Sequence, residues 1–370
     1  MRIKKIFMKT QLIFSNNNPI VANHRVGGRM ILPGMAYIDL IIQFCRKKAV
    51  DSDALEIRNL TILNPLIVEE NTKVIVSISD TEVAQGHWKI KIEGRKAYVH
   101  AEVVRSDVYP MNGAVDIGSF KKNAQESFPI GEVYKRYAMR GLLHTGVMKA
   151  EGLVYKSDQG ILFEGSPALE AMPTADQFLF HPALVDGSAI AIMPLFNELV
   201  NEGEHLFLPV YVGSFRSLVR INRRCFSYMP FSSVKRKGEV TSFDIYFLDE
   251  YGHKTGEILN LTSKLVREGA GVGEVGPVPS RMPITSTDED RGAVFFLRNL
   301  VASYLNMDPL SIDVNLPYYN LGFDSMSLLQ LAEVISAKID VELPPTLLFE
   351  HGSIQLLADH LRETYTEKLQ

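Results

Sequence analysis

His24-Arg25-Val26-Gly27-Gly28-Arg29-Met30-Ile31-Leu32-Pro33-Gly34 runs without a break into an apolar stretch, Met35 to Cys45. One imidazole stands ahead of a glycine pair, and Pro-Gly opens the apolar run. Proline is favoured at the first position of a helix, and a helix start offers unpaired N–H groups and the positive end of a dipole. A base on one side and a carbonyl-polarising helix start on the other is what proton abstraction next to a carbonyl needs. The same spacing also suits a surface histidine before a buried helix. The stretch alone leaves both readings open.

Beyond the helix over 34–47 the period changes to two, the mark of half-buried antiparallel strands. Val74, Val76 and Ile78 alternate with Ile75, Ser77 and Ser79; Trp88, Ile90 and Ile92 with His87, Lys89 and Lys91; Ala97, Val99, Ala101 and Val103 with Tyr98, His100 and Glu102. One long apolar helix followed by a strand meander predicts a sheet wrapped around a buried helix. Residues 130–268 repeat the scheme. Strand-like Leu153–Lys156 and Ile161–Glu164 lead to His181-Pro182 and an apolar run from Ala183 to Val200, and strands follow at 206–220, 225–229, 241–248 and 256–266. The front of the chain is therefore α+β, two copies of one helix-plus-sheet unit.

Composition narrows the function. Of 370 residues, 46% are hydrophobic and 22% charged, ordinary for a globular protein with more than one domain. A net charge of −4 gives no reason to expect nucleic acid or a membrane as partner. Cys45 and Cys225 sit in apolar surroundings without metal spacing, as reduced core residues of a cytoplasmic protein do. The start, Met1 to Lys9, is basic, but Lys9 and Gln11 interrupt its apolar run and Asn16, Asn17 and Asn18 follow, so no export signal is read. No run is long enough to cross a membrane.

Residues 269–292 form a Gly/Pro-rich, then Ser/Thr/Asp-rich linker. Gly271, Gly273 and Gly276 satisfy GxGxxG, but Pro277 and Pro279 follow where a helix is required, which removes the dinucleotide reading. From 293 the period becomes helical: Phe296, Leu300, Val301 and Tyr304 on one face, Leu328, Leu329, Ala332 and Ile335 on another, Ile354, Leu357 and Leu361 on a third. This tail carries net −6 and the rest of the chain +2.

Within the tail, Leu321-Gly322-Phe323-Asp324-Ser325-Met326 precedes a helix. Asp and Ser are preferred caps, so the dipeptide alone could be no more than an N-cap. Its setting is a bundle of fewer than 80 residues with Leu343-Pro344-Pro345-Thr346-Leu347-Leu348-Phe349-Glu350 downstream. Together these resemble an acyl carrier protein of the polyketide synthase type over residues 293–370. The resemblance implies 4′-phosphopantetheine on Ser325, beside Asp324, added by a phosphopantetheinyl transferase; a phosphodiester is well placed at a helix N-terminus. His24, Gly28 and Pro33 then satisfy HxxxGxxxxP, and His181-Pro182-Ala183-Leu184-Val185-Asp186 is similar to HPALLD. These resemble a polyketide synthase dehydratase domain, a double hot-dog, in residues 1–268, with the first hot-dog over about 12–110 and the second over about 130–268. The expected fold is thus α+β, two antiparallel sheets each wrapping a long helix, followed by an all-α carrier.

The resemblance implies a mechanism. On a β-hydroxyacyl thioester held by phosphopantetheine, His24 takes the α-proton and Asp186 protonates the departing hydroxyl, a syn-type elimination. Backbone N–H groups near Gly28 and the helix start at Pro33-Gly34 hold the thioester carbonyl. It also implies a homodimer through the dehydratase domain. No ketosynthase, acyltransferase or ketoreductase pattern appears; if the chain is complete, those parts are expected on other polypeptides, as in trans-acyltransferase assembly lines.

Two positions depart from the family pattern. Where Gln or His usually stands four residues after the Asp, this chain has Ile190, which cannot hydrogen-bond. The YGPxF segment corresponds to His144-Thr145-Gly146-Val147-Met148, its Tyr, Pro and Phe replaced. His144 is expected to be an ordinary structural histidine; the alternative is a polar role in place of the Tyr. No metal is expected, and His87, His100, His205, His253, His351 and His360 lack ligand spacing. The rival readings are an enoyl isomerase, dehydration coupled to heterocycle formation, and a silent hot-dog scaffold beside a working carrier.

Overall fold

Lys9 and Gln11, which break the apolar start of the chain, are the outward face of an edge strand, β1 (Ile6–Ser15). Its opposite face carries Met8, Thr10 and Leu12 half-buried and Phe14 buried, so the interruption is period-two alternation, and charge on an edge strand blunts pairing with other chains. The computed structural model describes residues 6–47, 55–80, 86–106, 111–194, 205–237, 240–266, 292–323, 325–341 and 343–365. The linker expected over 269–292 lies, except for Gly292, outside the described residues, and so does Asp324.

Two compact units result, Met1–Lys235 with Thr241–Gly269, and Ala270–Gln370 with Arg236–Val240. The first begins with β1, α1 (Pro19–Ala22), β2 (His24–Val26), β3 (Arg29–Met30) and α2 (Ala36–Lys47). The meander β4 (Leu55–Ile62), β5 (Asn71–Asp80), β6 (His87–Glu93) and β7 (Ala97–Arg105) follows, then α3 (Ile117–Lys122), β8 (Glu126–Pro129), α4 (Ile130–Ala138) and β9 (Leu142–His144). The second half continues with β10 (Ala150–Lys156), β11 (Gly160–Pro167), α5 (Pro182–Ala191), β12 (Leu206–Ser217), β13 (Cys225–Pro230), β14 (Lys235–Lys237), β15 (Val240–Leu248) and β16 (Lys254–Val266).

The alternating positions fall as the periodicity requires: Val74, Val76, Ile78, Ile90, Ile92, Val99 and Val103 are buried, while Ile75 is 43% exposed. The two expected sheets are halves of one continuous sheet. Its order is β1-β5-β6-β7-β4 and then β12-β16-β15-β13-β11-β10-β8. The seam is the antiparallel pairing of β4 with β12, Thr61 opposite Tyr211 and Ile57 opposite Phe215. Each half buries its helix. Ile38, Ile41 and Cys45 of α2 and Ala183, Leu184 and Val185 of α5 are fully enclosed, and each fully buried Ile, Leu or Val contributes about 1.5–3 kcal/mol. The run expected to continue from α5 to Val200 lies from residue 195 outside the described residues.

The second unit is helical: α6 (Ala293–Leu305), α7 (Ser325–Ile339), α8 (Leu347–Glu350) and α9 (Ile354–Tyr365). Leu328, Leu329, Ala332 and Ile335 are buried, as are Ile354, Leu357 and Leu361. The face of α6 is rotated from the expected one. Val294, Leu297 and Val301 are its buried stripe, and Tyr304 is 41% exposed. The tyrosine is amphipathic. Its ring stacks on Phe323 at 5.3 Å while its hydroxyl donates to Gln330 Oε1 at 2.7 Å, so it sits at the rim.

Candidate active site

Gly27 and Gly28 both have positive φ, +56° and +77°, and form the two-residue turn of the β2–β3 hairpin, with Val26 opposite Arg29. Such a turn needs left-handed backbone at both central positions, which glycine adopts without steric cost. Gly28 is thus a turn residue first. The hairpin brings Ile31 back to His24: Ile31 N–H donates to the His24 carbonyl at 3.3 Å, and His24 Nδ1 donates to the Ile31 carbonyl at 2.8 Å. A carbonyl can only accept, so Nδ1 carries the proton and Nε2 keeps a free lone pair.

β9 pairs with the other edge of β2 and sets His144 directly opposite His24. Thr145 locks this register by donating its N–H to the Asn23 carbonyl (3.0 Å) and its hydroxyl to Asn23 Oδ1 (2.7 Å). The two imidazoles meet edge to face with centroids 4.9 Å apart, and the Tyr134 ring of α4 lies 5.1 Å from that of His144. Tyr134 is itself held, its hydroxyl accepting the Ala150 N–H at 3.1 Å. Burial pushes its phenol pKa up, so it stays protonated.

Asp186 comes from α5. His181 caps that helix, its Nδ1 accepting the Ala183 N–H at 3.2 Å, and Pro182 occupies the first turn. Asp186 then reaches His144, whose Nε2 is 2.8 Å from Asp186 Oδ2. His24, His144 and Asp186 are 5%, 2% and 7% exposed, and one ligand atom from each lies within 4.8 Å of the others. They are the one such group of His, Cys, Asp and Glu among the described residues spaced to hold a cation. Two ligands of a tetrahedral zinc stand roughly 3.3 Å apart, by the usual bond lengths of about 2.0–2.1 Å. The 2.8 Å contact of His144 and Asp186 is instead that of a direct hydrogen bond.

Burial and the neighbouring His144 pull the pKa of His24 down to about 4, against smaller opposing effects from Asp186 and the Ile31 carbonyl. His24 is therefore neutral near pH 7 and available as a base. Burial also pulls His181 down to about 4.

Pro33 and Gly34 do not begin the helix. They open a turn, and Ala36 and Tyr37 donate to the carbonyls of Pro33 and Gly34 at 3.0 and 3.4 Å before regular helix sets in. Gly34 is needed for close approach: a Cβ there would stand 2.7 Å from Pro209 Cγ and 2.9 Å from Ile62 Cδ1, at the seam of the two half-sheets. Ile190 is buried on α5, one turn beyond Asp186. The expectation of a merely structural His144 does not fit this geometry, because its ring touches both other polar groups.

Residues 7–95 match the family described as polyketide synthase dehydratase domain, and residues 296–361 the phosphopantetheine attachment site. A crystal structure of a monomeric dehydratase domain from a trans AT polyketide synthase split module is 33% identical; the match covers 71% of this chain and 100% of that one, with a TM-score of 0.66. The chain belongs to the polyketide synthase dehydratases. Its carrier part bears covalently attached 4′-phosphopantetheine. Polyketide synthases PksM and PksL of Bacillus subtilis (strain 168) are 34% and 32% identical over 96% and 99% of this chain. The chain spans only 8% and 9% of their lengths.

This dehydratase–carrier didomain fits the prosthetic group at α7. The Tyr318–Leu321 turn ends on left-handed Gly322 (φ +97°), and Phe323 is buried against Tyr304 and Tyr318. This anchors the chain two residues before the helix that Ser325 opens. Two residues of the dehydratase went unread in the sequence, Tyr134 and Asp39. Asp39 had a signal, a lone acid in an apolar helix, but what it binds lies far along the chain.

Proposed function

We propose that this chain eliminates water from a β-hydroxyacyl thioester to give an α,β-unsaturated thioester. The observation that carries the reading is a neutral imidazole with a free Nε2 and a carboxyl group held within 4.8 Å of each other in one buried cluster. His24 Nε2 removes the α-proton. The electron pair forms the Cα–Cβ double bond as the β-carbon loses its hydroxyl, and Asp186 supplies the proton with which it leaves as water. Acid and base lie in one cluster, which favours syn geometry. Amides of the Gly28 turn and of the Pro33-Gly34 turn receive the negative charge growing on the thioester oxygen. His144 positions Asp186, the task Ile190 cannot perform.

Phosphopantetheine on Ser325, beside Asp324, serves as the flexible thioester tether. A phosphopantetheinyl transferase adds it, and ketosynthase, acyltransferase and ketoreductase activities supply the β-hydroxyacyl chain in the cytoplasm. We divide the chain into dehydratase 1–268, linker 269–292 and carrier 293–370. The 33%-identical relative is described as a monomeric dehydratase domain, and we assign this chain the same state in place of the expected homodimer.

The test is incubation with a short 3-hydroxyacyl-pantetheine thioester, read by mass. Loss of one water supports the reading. Inertness towards it, with a double-bond shift at unchanged mass from an enoyl thioester, would establish the isomerase instead. The second imidazole and Ile190 are the features that favour that rival.

A further inference from the structure

Asp39 is a buried acid outside the catalytic cluster. It is 5% exposed, on the first turn of α2 between fully buried Ile38 and Ile41. Its Oδ1 accepts two backbone N–H groups, Leu179 at 2.8 Å and Phe180 at 2.9 Å. Its Oδ2 accepts from Gln43 Nε2 at 2.7 Å, and the same amide nitrogen donates to the Gln177 carbonyl at 2.9 Å. One turn of the first hot-dog's helix thus grips three backbone positions, 177, 179 and 180, in the second half of the domain.

The gripped segment leads straight into the acid-bearing helix. Phe180 is followed by His181, the cap of α5, whose own N–H donates to the Ile221 carbonyl at 2.7 Å. Asp186 follows five residues later on the same helix. In the other direction, α2 runs back through the Pro33–Met35 turn to the hairpin that holds His24. Base and acid come from different halves of the domain, and Asp39 joins the helix behind one to the launch point of the other.

A role in folding alone accounts poorly for a carboxylate here. Removing an ion from water costs several kcal/mol even in relaxed protein interiors, and burial raises the pKa of this group despite its hydrogen bonds. An apolar side chain would enter the helix at lower cost. What the carboxylate alone supplies is two acceptor oxygens, able to take both amides and Gln43 together.

We propose that Asp39, assisted by Gln43, is a positioning residue that fixes α5, and with it Asp186, relative to His24. The proposal rests on the reading of His24 and Asp186 as base and acid. The full chain is assayed with the 3-hydroxyacyl-pantetheine thioester, alongside melting temperature. Asp39→Ala is expected to lower kcat about 10- to 100-fold, the scale of a misplacement near 1 Å, with KM within about threefold. Asp39→Asn, which keeps the acceptor facing Leu179 and Phe180, should recover most of kcat. In an Asp186→Asn background, Asp39→Ala should change kcat less than about twofold, because the group it places is already lost.

A folded Asp39→Ala with wild-type kcat overturns the proposal, and so does a loss that multiplies with that of Asp186→Asn, as general loosening would give. If Asp39→Ala does not fold, Gln43→Ala replaces it, with an expected loss of about three- to tenfold under the same non-additivity; failure of both to fold leaves Asp39 a structural residue. An inert wild type defeats the dehydratase reading and this inference with it, whereas an active wild type with unaffected variants defeats the inference alone.

Discussion

His144 Nε2 stands 2.8 Å from Asp186 Oδ2, while Ile190, one helical turn further along α5, offers Asp186 nothing. The partner of the carboxyl group comes from β9 rather than from its own helix. His144 is in turn fixed by its register opposite His24, so base and acid are tied to one another through a third side chain.

This arrangement makes a rescue possible. His144→Phe keeps an aromatic ring but removes the hydrogen bond to Asp186, and a fall in dehydration rate of about 10- to 100-fold is expected. Adding Ile190→Gln to that variant should recover at least a third of the loss on a logarithmic scale, since an amide one turn away can reach the carboxyl. Steady-state rates of the single and double variants decide it. A His144→Phe chain as fast as wild type would remove His144 from the site.

His24→Ala and Asp186→Asn should each cost about 10²–10⁴-fold in rate, the usual worth of a positioned acid or base. The double variant should be hardly slower than the worse single one, because both act in one step. Circular dichroism and melting curves should show both chains folded. Losses that multiply would place the two groups in separate steps.

The low pKa of His24 makes two pH predictions. Its folded value, about 4, lies below the ordinary histidine value of 6.5. The unfolded chain therefore binds a proton between these limits that the folded chain refuses, so this stability is fully present above pH 6.5 and is lost as pH falls through 4. The shift corresponds to about 3 kcal/mol, and His181 adds to it in the same window. Urea unfolding from pH 7 to pH 4 should show the decline, and His24→Gln should flatten it. The acid limb of kcat/KM should likewise fall below the ordinary imidazole range. An acid limb near 6.5 would mean that another group is the base.

Incubation with a phosphopantetheinyl transferase, coenzyme A and Mg²⁺ should raise the mass of the chain by a single pantetheine arm, and Ser325→Ala should abolish the gain. Labelling of the Ser325→Ala chain at another serine would move the attachment site.

Much of this protein can be read along the chain. Alternation in β5, β6 and β7, the helical period of α7 and α9, and Gly322-Phe323-Asp324-Ser325 ahead of a helix are each written among neighbours within a few residues. Local backbone geometry, with periods of 2 and 3.6, therefore suffices to place them. The pair of helix-plus-sheet units was legible for the same reason, whereas His24 and Asp186 became candidates through the resemblance of HxxxGxxxxP and His181-Pro182-Ala183-Leu184-Val185-Asp186 to the family's motifs. Contacts between distant segments were not. That His144 faces His24 depends on the register of β9 on β2, and that the half-sheets fuse depends on β4 meeting β12. The buried stripe of α6 shifted because a helix face is chosen by what packs on it. Asp39, unread in the sequence, gains its partners only when the chain folds back and sets two amide hydrogens, 140 and 141 residues away, against its carboxylate. A single side chain shows what it can bond to; only the closed fold decides which partner arrives.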